Sequence, residues 1–158
     1  MRRTVVHFES PMGWLRIEGY AGMLTRLMFV EEPSQIDDHD HSLHRVLHAL
    51  SCFFNGQPLS ADLPMHLEGT HFQQTVWEEL MRIPFAKTLS YEDIARQMGD
   101  IKLTRAVASA IAKNPIPILI PCHRVIGKDG TYVGYSGGIQ RKRWLLDFEN
   151  QYVQLSLL

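Results

Sequence analysis

The chain has 158 residues, 45% of them hydrophobic and 21% charged, with a formal net charge of −1. That length suits one compact domain or two small ones, and the composition is that of an ordinary globular protein. No window approaches the roughly 18 apolar residues of a membrane span, and the N-terminal MRRTVVHFES lacks the apolar centre of a signal peptide. Two cysteines, Cys52 and Cys122, are too few for a disulfide framework. The expectation is a cytoplasmic protein, nucleoid-associated if prokaryotic, with no membrane partner. The charge is uneven: residues 1–68 carry five Lys/Arg against nine Asp/Glu, and residues 69–158 eleven against eight. A polyanion would meet the second part, although such a segment is also an ordinary solvated surface.

From the N-terminus, TVVHFES, WLRIEGY and LTRLMFVEE are short β-rich runs separated by Pro11-Met12-Gly13 and by Ala21-Gly22, which predicts an antiparallel meander. Leu43, Val46, Leu47, Leu50, Phe53 and Phe54 then form one apolar stripe at helical spacing that should end at Asn55-Gly56. A Pro- and Gly-punctuated stretch, residues 57–69, separates this from a helical pattern. The boundary is therefore drawn between an N-terminal α/β domain, 1–68, and a C-terminal domain, 69–158.

In the second part, Phe72–Ile83 carries Phe72, Val76, Trp77 and Leu80 on one face and is stopped by Pro84. Ser90-Tyr91-Glu92-Asp93 resembles a capping box opening a helix that buries Ile94, Ala95 and Met98 and ends at Gly99. Gly99-Asp100 leads into Leu103–Lys113, whose surface is poor in bulk: Ala106, Ala108, Ser109, Ala110 and Ala112. Helix, short glycine turn and second helix is the arrangement that presents the second helix to DNA. Close packing of an Ala-rich helix on a neighbour is the open alternative, and Arg105 near the helix start favours DNA. Pro115 and Pro121 then flank the apolar run Ile116–Ile120 and Pro117 lies within it, which reads as stiff extended backbone with Cys122 emerging where the strand ends.

A cysteine in an apolar run is ordinarily a small buried hydrophobe. Here His123 and Arg124 follow it, and Glu149 sits on the final helix. A histidine that takes the thiol proton, directly or through water, with a carboxylate holding its tautomer, is the standard means of making thiolate near neutral pH.

The run Ile-Pro-Cys-His-Arg-Val, preceded by SYEDIA and TRAVASAIAKNPIPIL and followed by GYSGG and RWLLDFE, resembles the O6-alkylguanine-DNA alkyltransferases from about Phe72 to Glu149. The N-terminal half resembles them only in layout. The resemblance implies an α/β + α fold, with an N-terminal ribonuclease-H-like α/β roll built on an antiparallel sheet. The C-terminal domain would be winged-helix-like, its helix-turn-helix entering the minor groove. It implies irreversible, stoichiometric transfer of the alkyl group from O6-alkylguanine in double-stranded DNA, with O4-alkylthymine left open, after the base is flipped out. No cofactor and no metal are implied, and the protein would be a monomer in solution with cooperative assembly on DNA left open.

By the same resemblance Cys122 is the attacking thiolate, His123 deprotonates it through water, and Glu149 orients His123. Tyr91 donates a proton to the leaving guanine and crowds the phosphate, while Arg105 fills the vacated place in the stack. Asn114 supports the active-site loop. Ala106, Ser109 and Arg124 join Arg105 and Tyr91 as expected DNA contacts. Val125, Tyr135, Ser136 and Ile111 form the expected base pocket, with the Cys122 and Val125 carbonyls reading the base edge.

Two other classes remain on the residues alone: a winged-helix regulator without chemistry, which leaves PCHRV, Tyr91 and Glu149 unexplained, and a Cys-His-Glu hydrolase, awkward because adjacent side chains rarely face one another. His44, His48 and Cys52 at i, i+4 and i+8, with Asp40 and His41 upstream, form a face with metal-ligating residue types, but helical sites usually need ligands from a second element and no metal is assigned. Arg141-Lys142-Arg143 reads as a phosphate contact or a solvated helix face, and Trp144, Leu145 and Phe148 as core.

Overall fold

The computed structural model describes residues 2–34, 41–59 and 62–157, so Asp40 lies outside the described residues. The chain divides into two compact units, Met1–Glu68 and Gly69–Leu158. Among the described residues it is a mixed α/β protein with a three-stranded antiparallel sheet, a two-stranded parallel pair and five α-helices. No helix of the described residues is long and apolar enough to cross a membrane.

In the first unit, β1 (Arg3–Ser10), β2 (Gly13–Tyr20) and β3 (Met23–Val30) form the meander. Register pairs Val6 with Ile17 and Ile17 with Leu27, so the period of two collects Val6, Leu15, Ile17 and Leu27 on the buried face. A register shift at Glu18/Gly19 lets Leu24 join the core as well. Helix α1 (His44–Phe54) buries Val46, Ala49, Leu50 and Phe53. It ends where the sequence signals: Gly56 has φ +79°, its N–H donates to Phe53 O, and Gln57 N–H donates to Cys52 O, the paired bonds of a left-handed helix stop that only glycine enters without strain.

In the second unit, α2 (His71–Met81) starts from a reciprocal cap between Thr70 and Gln73, and Trp77 lies fully buried with its indole N–H donating to Ala110 O at 2.9 Å. Strand β4 (Leu89–Ser90) leads into α3 (Tyr91–Gln97) through the Ser90 cap: Ser90 Oγ accepts from Asp93 N–H, and the Asp93 carboxylate accepts from Ser90 N–H at 2.8 Å. Hydrogen bonding from Ser90 to the carboxylate holds the Asp93 carboxyl below its ordinary pKa. Gly99, at φ +104°, turns the chain into α4 (Thr104–Ala112). Val107, Ala110 and Ile111 are its buried face, leaving Arg105, Ala106, Ser109 and Ala112 exposed.

The expected strand before the cysteine is absent. Ile116–Ile120 is a buried tight turn in which Ile120 N–H donates to Ile116 O and Ile118 takes φ +74°. Asn114 makes this possible by supplying both kinds of hydrogen bond the turn lacks: its amide donates to Ile120 O at 2.8 Å and accepts from Ile116 N–H at 2.9 Å. Cys122 therefore opens a single 3-10 turn, Cys122–Arg124, and β5 (Val125–Ile126) follows it, parallel to β4. The last helix, α5 (Ile139–Ser156), buries Lys142, Leu145, Leu146 and Glu149. Trp144 and Phe148, expected as core, are only partly buried and stack on each other at 5.0 Å.

Replacing a capping Ser by Ala typically costs about 1 kcal/mol. Ser90→Ala should lower the urea midpoint by a stability of that order, because Asp93 N–H loses its acceptor at the start of α3. A midpoint unchanged from wild type would show that water replaces the cap.

Candidate active site

Cys122 is buried at the wall of a cavity of about 610 Å³ lined also by Tyr91, Arg105, Ile111, Tyr135 and Ser136. Each element supplies a part: α3 the first-turn Tyr91, α4 the exposed Arg105 and the buried Ile111, and the loop before α5 Tyr135 and Ser136. Burial pushes the Cys122 thiol up to about 11, against the opposing effects of a hydrogen bond from Asn114 and the positive charge of Lys142. At neutral pH the resting group is a thiol. Burial, and then the proximity of Cys122, raise the Tyr91 hydroxyl above its ordinary value, and burial raises that of Tyr135 much further, so both remain proton donors. Tyr91 donates to Val133 O at 3.0 Å.

Next to the thiol in sequence, His123 is completely buried, and its Nε2 lies 2.7 Å from Glu149 Oε1. Burial alone would raise the Glu149 carboxyl, but its hydrogen bonds and charge contacts with His123 and Arg124 outweigh burial and hold it at about 2. Burial likewise lowers the His123 pKa, with Glu149 opposing. The pair at neutral pH is therefore an ionised carboxylate and a neutral imidazole. A carboxylate only accepts, so Nε2 carries the ring proton and Nδ1 keeps its lone pair.

Of the residues expected at the site, the structure brings Tyr91, Arg105, Ile111, Cys122, Tyr135 and Ser136 to one cavity, with Asn114, His123 and Glu149 behind it. Ala106 and Ser109 stand exposed on α4. Val125, expected in the base pocket, does not line the cavity: its side chain is buried and its carbonyl accepts from Lys142 Nζ at 2.6 Å. Arg124 needs correction. It was expected to meet DNA, but it is buried: Nε reaches both Glu149 oxygens at 3.1 Å, Nη2 reaches Oε1 at 2.8 Å, and Nη1 donates to Ile83 O at 2.8 Å. A guanidinium so engaged has no face to offer a phosphate.

Lys142 was misread in the same way. It is fully buried, and its ammonium donates to Val125 O, to Val133 O at 3.0 Å and to Gly134 O at 3.4 Å, tying the loop that carries Tyr135 to β5. Burial pulls its pKa down to about 8, with the proximity of Cys122 opposing. The signal was present: Lys142, Leu145, Leu146 and Glu149 fall at i, i+3, i+4 and i+7, a single buried helical stripe with an ion at each end.

Away from this cavity, Cys52 Sγ and His48 Nε2 are 3.5 Å apart, while His44 Nδ1 pairs with His41 O. Among the described residues no group of three His, Cys, Asp or Glu is arranged to hold a metal ion.

The two units and the cavity define a mixed α/β protein with one buried thiol beside a helix pair of small exposed side chains. The profile described as 6-O-methylguanine DNA methyltransferase, DNA binding domain, matches residues 71–151. The methylated-DNA–protein-cysteine methyltransferase of Mycobacterium leprae is 40% identical over 154 residues, covering 94% of this chain and 93% of its own. A probable methylated-DNA–protein-cysteine methyltransferase of Acanthamoeba polyphaga mimivirus is 46% identical over 149 residues, covering 92% and 96%. The crystal structure of Mycobacterium tuberculosis OGT in complex with DNA superposes with a TM-score of 0.85 at 39% identity, covering 94% of each chain. The chain belongs to the methylated-DNA–protein-cysteine methyltransferase family.

The pH dependence of stability follows from Glu149. Its folded pKa of about 2 lies below the ordinary 4.5, so on acidification the unfolded chain takes the proton first. The stabilisation is complete above 4.5 and lost as pH falls towards about 2. Urea midpoints measured between about pH 5 and pH 3 should fall more steeply for wild type than for Glu149→Gln. Equal slopes would show that other carboxylates dominate.

Proposed function

We propose that this protein repairs alkylated DNA by direct reversal, moving the alkyl group from O6 of a flipped guanine to the Cys122 sulfur in one irreversible event. The observation that carries the reading is the placement of the Cys122 thiol in a cavity large enough for a base, between Tyr91, Arg105 and Tyr135. The matched family profile, itself a DNA-binding domain, supports duplex DNA as the partner. We assign the first unit to a ribonuclease-H-like roll and the second to a winged-helix-like domain, acting as a monomer in the cytoplasm.

In the displacement, the thiol proton passes to His123 Nδ1 through a water, and the thiolate attacks the alkyl carbon. The S–C bond forms as the C–O6 bond breaks. The guanine leaves with the electron pair and is neutralised by a proton from Tyr91, whose hydroxyl first gives up Val133 O. The imidazolium then restores Tyr91, so the net change is a thioether and an intact guanine. A thioether has no acidic proton and no good leaving group, so the protein is spent. Arg105 stands at the cavity mouth on the exposed face of α4, where its planar guanidinium stacks in the gap the guanine vacates and hydrogen-bonds the orphaned cytosine. Ser136, Tyr135 and the carbonyl of Cys122 supply donors and acceptors for the base edge. Ala106 and Ser109 give the backbone of α4 close approach to the groove.

Incubation with duplex DNA containing O6-methylguanine should add one methyl group per chain by intact-mass spectrometry, located on Cys122 and absent in Cys122→Ser, whose hydroxyl is far less nucleophilic towards carbon. Transfer to Cys52, or repeated turnover, would sink this mechanism.

Flipping a base costs a few kcal/mol, so Arg105→Ala should slow repair of duplex DNA by about tenfold or more while leaving reaction with free O6-benzylguanine nearly unchanged. Equal losses in both assays would make Arg105 structural.

A further inference from the structure

The transfer as described needs an imidazole whose Nδ1 is unprotonated. In a neutral histidine, that depends on what the other nitrogen meets. An ionised Glu149 accepts from Nε2 and enforces the right form. A protonated Glu149 would instead donate to Nε2, placing the ring proton on Nδ1, where it blocks transfer from the thiol.

A carboxylate this deeply buried does not stay ionised unaided, because burial disfavours its charge. His123 Nε2 gives the carboxylate a hydrogen bond at 2.7 Å, but at neutral pH the ring is uncharged and brings no full positive charge. Ala86 N–H contributes one bond, to Oε2 at 3.0 Å, from a residue at φ +61°. Lys142, the buried cation of α5, is committed to three carbonyls. The cation that touches both Glu149 oxygens is Arg124. Its fork is fixed in turn by Ile83 O and by the Phe85 ring, 5.7 Å from the guanidinium carbon. The charged groups facing the His123 ring are thus Glu149 and Lys142 of α5 and Arg124 of its own turn.

We propose that Arg124 is a positioning residue for the alkyl transfer, keeping Glu149 an obligate acceptor and so locking His123 in the tautomer with its proton on Nε2. The proposal rests on the reading of His123 as acceptor of the Cys122 proton. It also accounts for an arginine immediately after the Cys-His pair that is turned away from the surface: the planar fork meets both carboxylate oxygens at once, which a point charge does not.

The test uses the full chain with 15N-labelled histidine, the His123 signals being assigned by their loss in His123→Gln, and the rate of Cys122 alkylation by free O6-benzylguanine. Wild type should show Nε2 protonated. Arg124→Met, which removes the charge at similar length, should move the proton to Nδ1 and slow alkylation by more than about a hundredfold. Arg124→Lys, which keeps a charge, should retain the wild-type tautomer and lose less than about tenfold; it decides the matter if the methionine variant does not fold. A wild-type tautomer in Arg124→Met would overturn the proposal. So would a switched tautomer in Arg124→Lys, or an unswitched one with a rate fallen more than about a hundredfold. Failure of wild type to gain a methyl from O6-methylguanine DNA would instead reject the functional reading, leaving the tautomer result to stand separately.

Discussion

The second unit is organised around one buried negative charge. The Glu149 carboxylate, on α5, is met by His123 and Arg124 from the 3-10 turn and by the Ala86 amide from the connection between α2 and β4, partners 26, 25 and 63 residues away in sequence. Such a charge costs several kcal/mol to desolvate and is tolerated only when its lone pairs are filled. Filling them draws three distant segments to one point. Arg124 extends the network to Ile83 O, so the residues that finish α2 and those that hold the reactive thiol share one electrostatic centre. An apolar core would pack these segments as tightly, but without fixing the direction in which His123 points.

Beside that centre the thiol is kept quiet. Pushed up to about 11 by burial, Cys122 is protonated at rest, and a protonated thiol reacts poorly with stray oxidants and alkylating agents. For a cysteine usable once, this protection matters as much as reactivity. The groups that oppose burial, Asn114 and Lys142, are already in place, as is the His123 lone pair.

Local features were legible from the sequence. The Asn55-Gly56 stop and the Ser90 cap depend on residues within a few positions of one another, and the meander on a period of two that no other element disturbs. Long-range burial was not legible. Arg124 and Lys142 read as surface cations because only residues far away, Glu149 for one and the Val125 and Val133 carbonyls for the other, make their burial affordable. The stretch before Cys122 misled for a related reason: three prolines suggested extended backbone, whereas Asn114 supplies side-chain bonds that let a buried turn close. At the site, the residues at the cavity wall were readable through family resemblance, while those that hold the wall in place were hidden in ordinary-looking charge.

The same organisation explains how the cavity can change one contact without losing its shape. Val133 O accepts from both the Tyr91 hydroxyl and the Lys142 ammonium. A base that claims the Tyr91 proton removes the first bond. Lys142 still holds Val133 O, and with it Gly134 O and Val125 O, so the loop bearing Tyr135 and Ser136 stays anchored to β5. On the opposite wall, the bond from Trp77 to Ala110 O fixes α4 to α2 from the buried side, so the small exposed side chains of α4 are not needed for packing. Ala86 and Ile118, both in the left-handed region, lie in the two segments that end at Glu149 and at Cys122, so backbone strain of about 1–3 kcal/mol each is held where the surroundings over-determine the conformation. Tyr91 can thus exchange its partner while Lys142 keeps Val133 O in place.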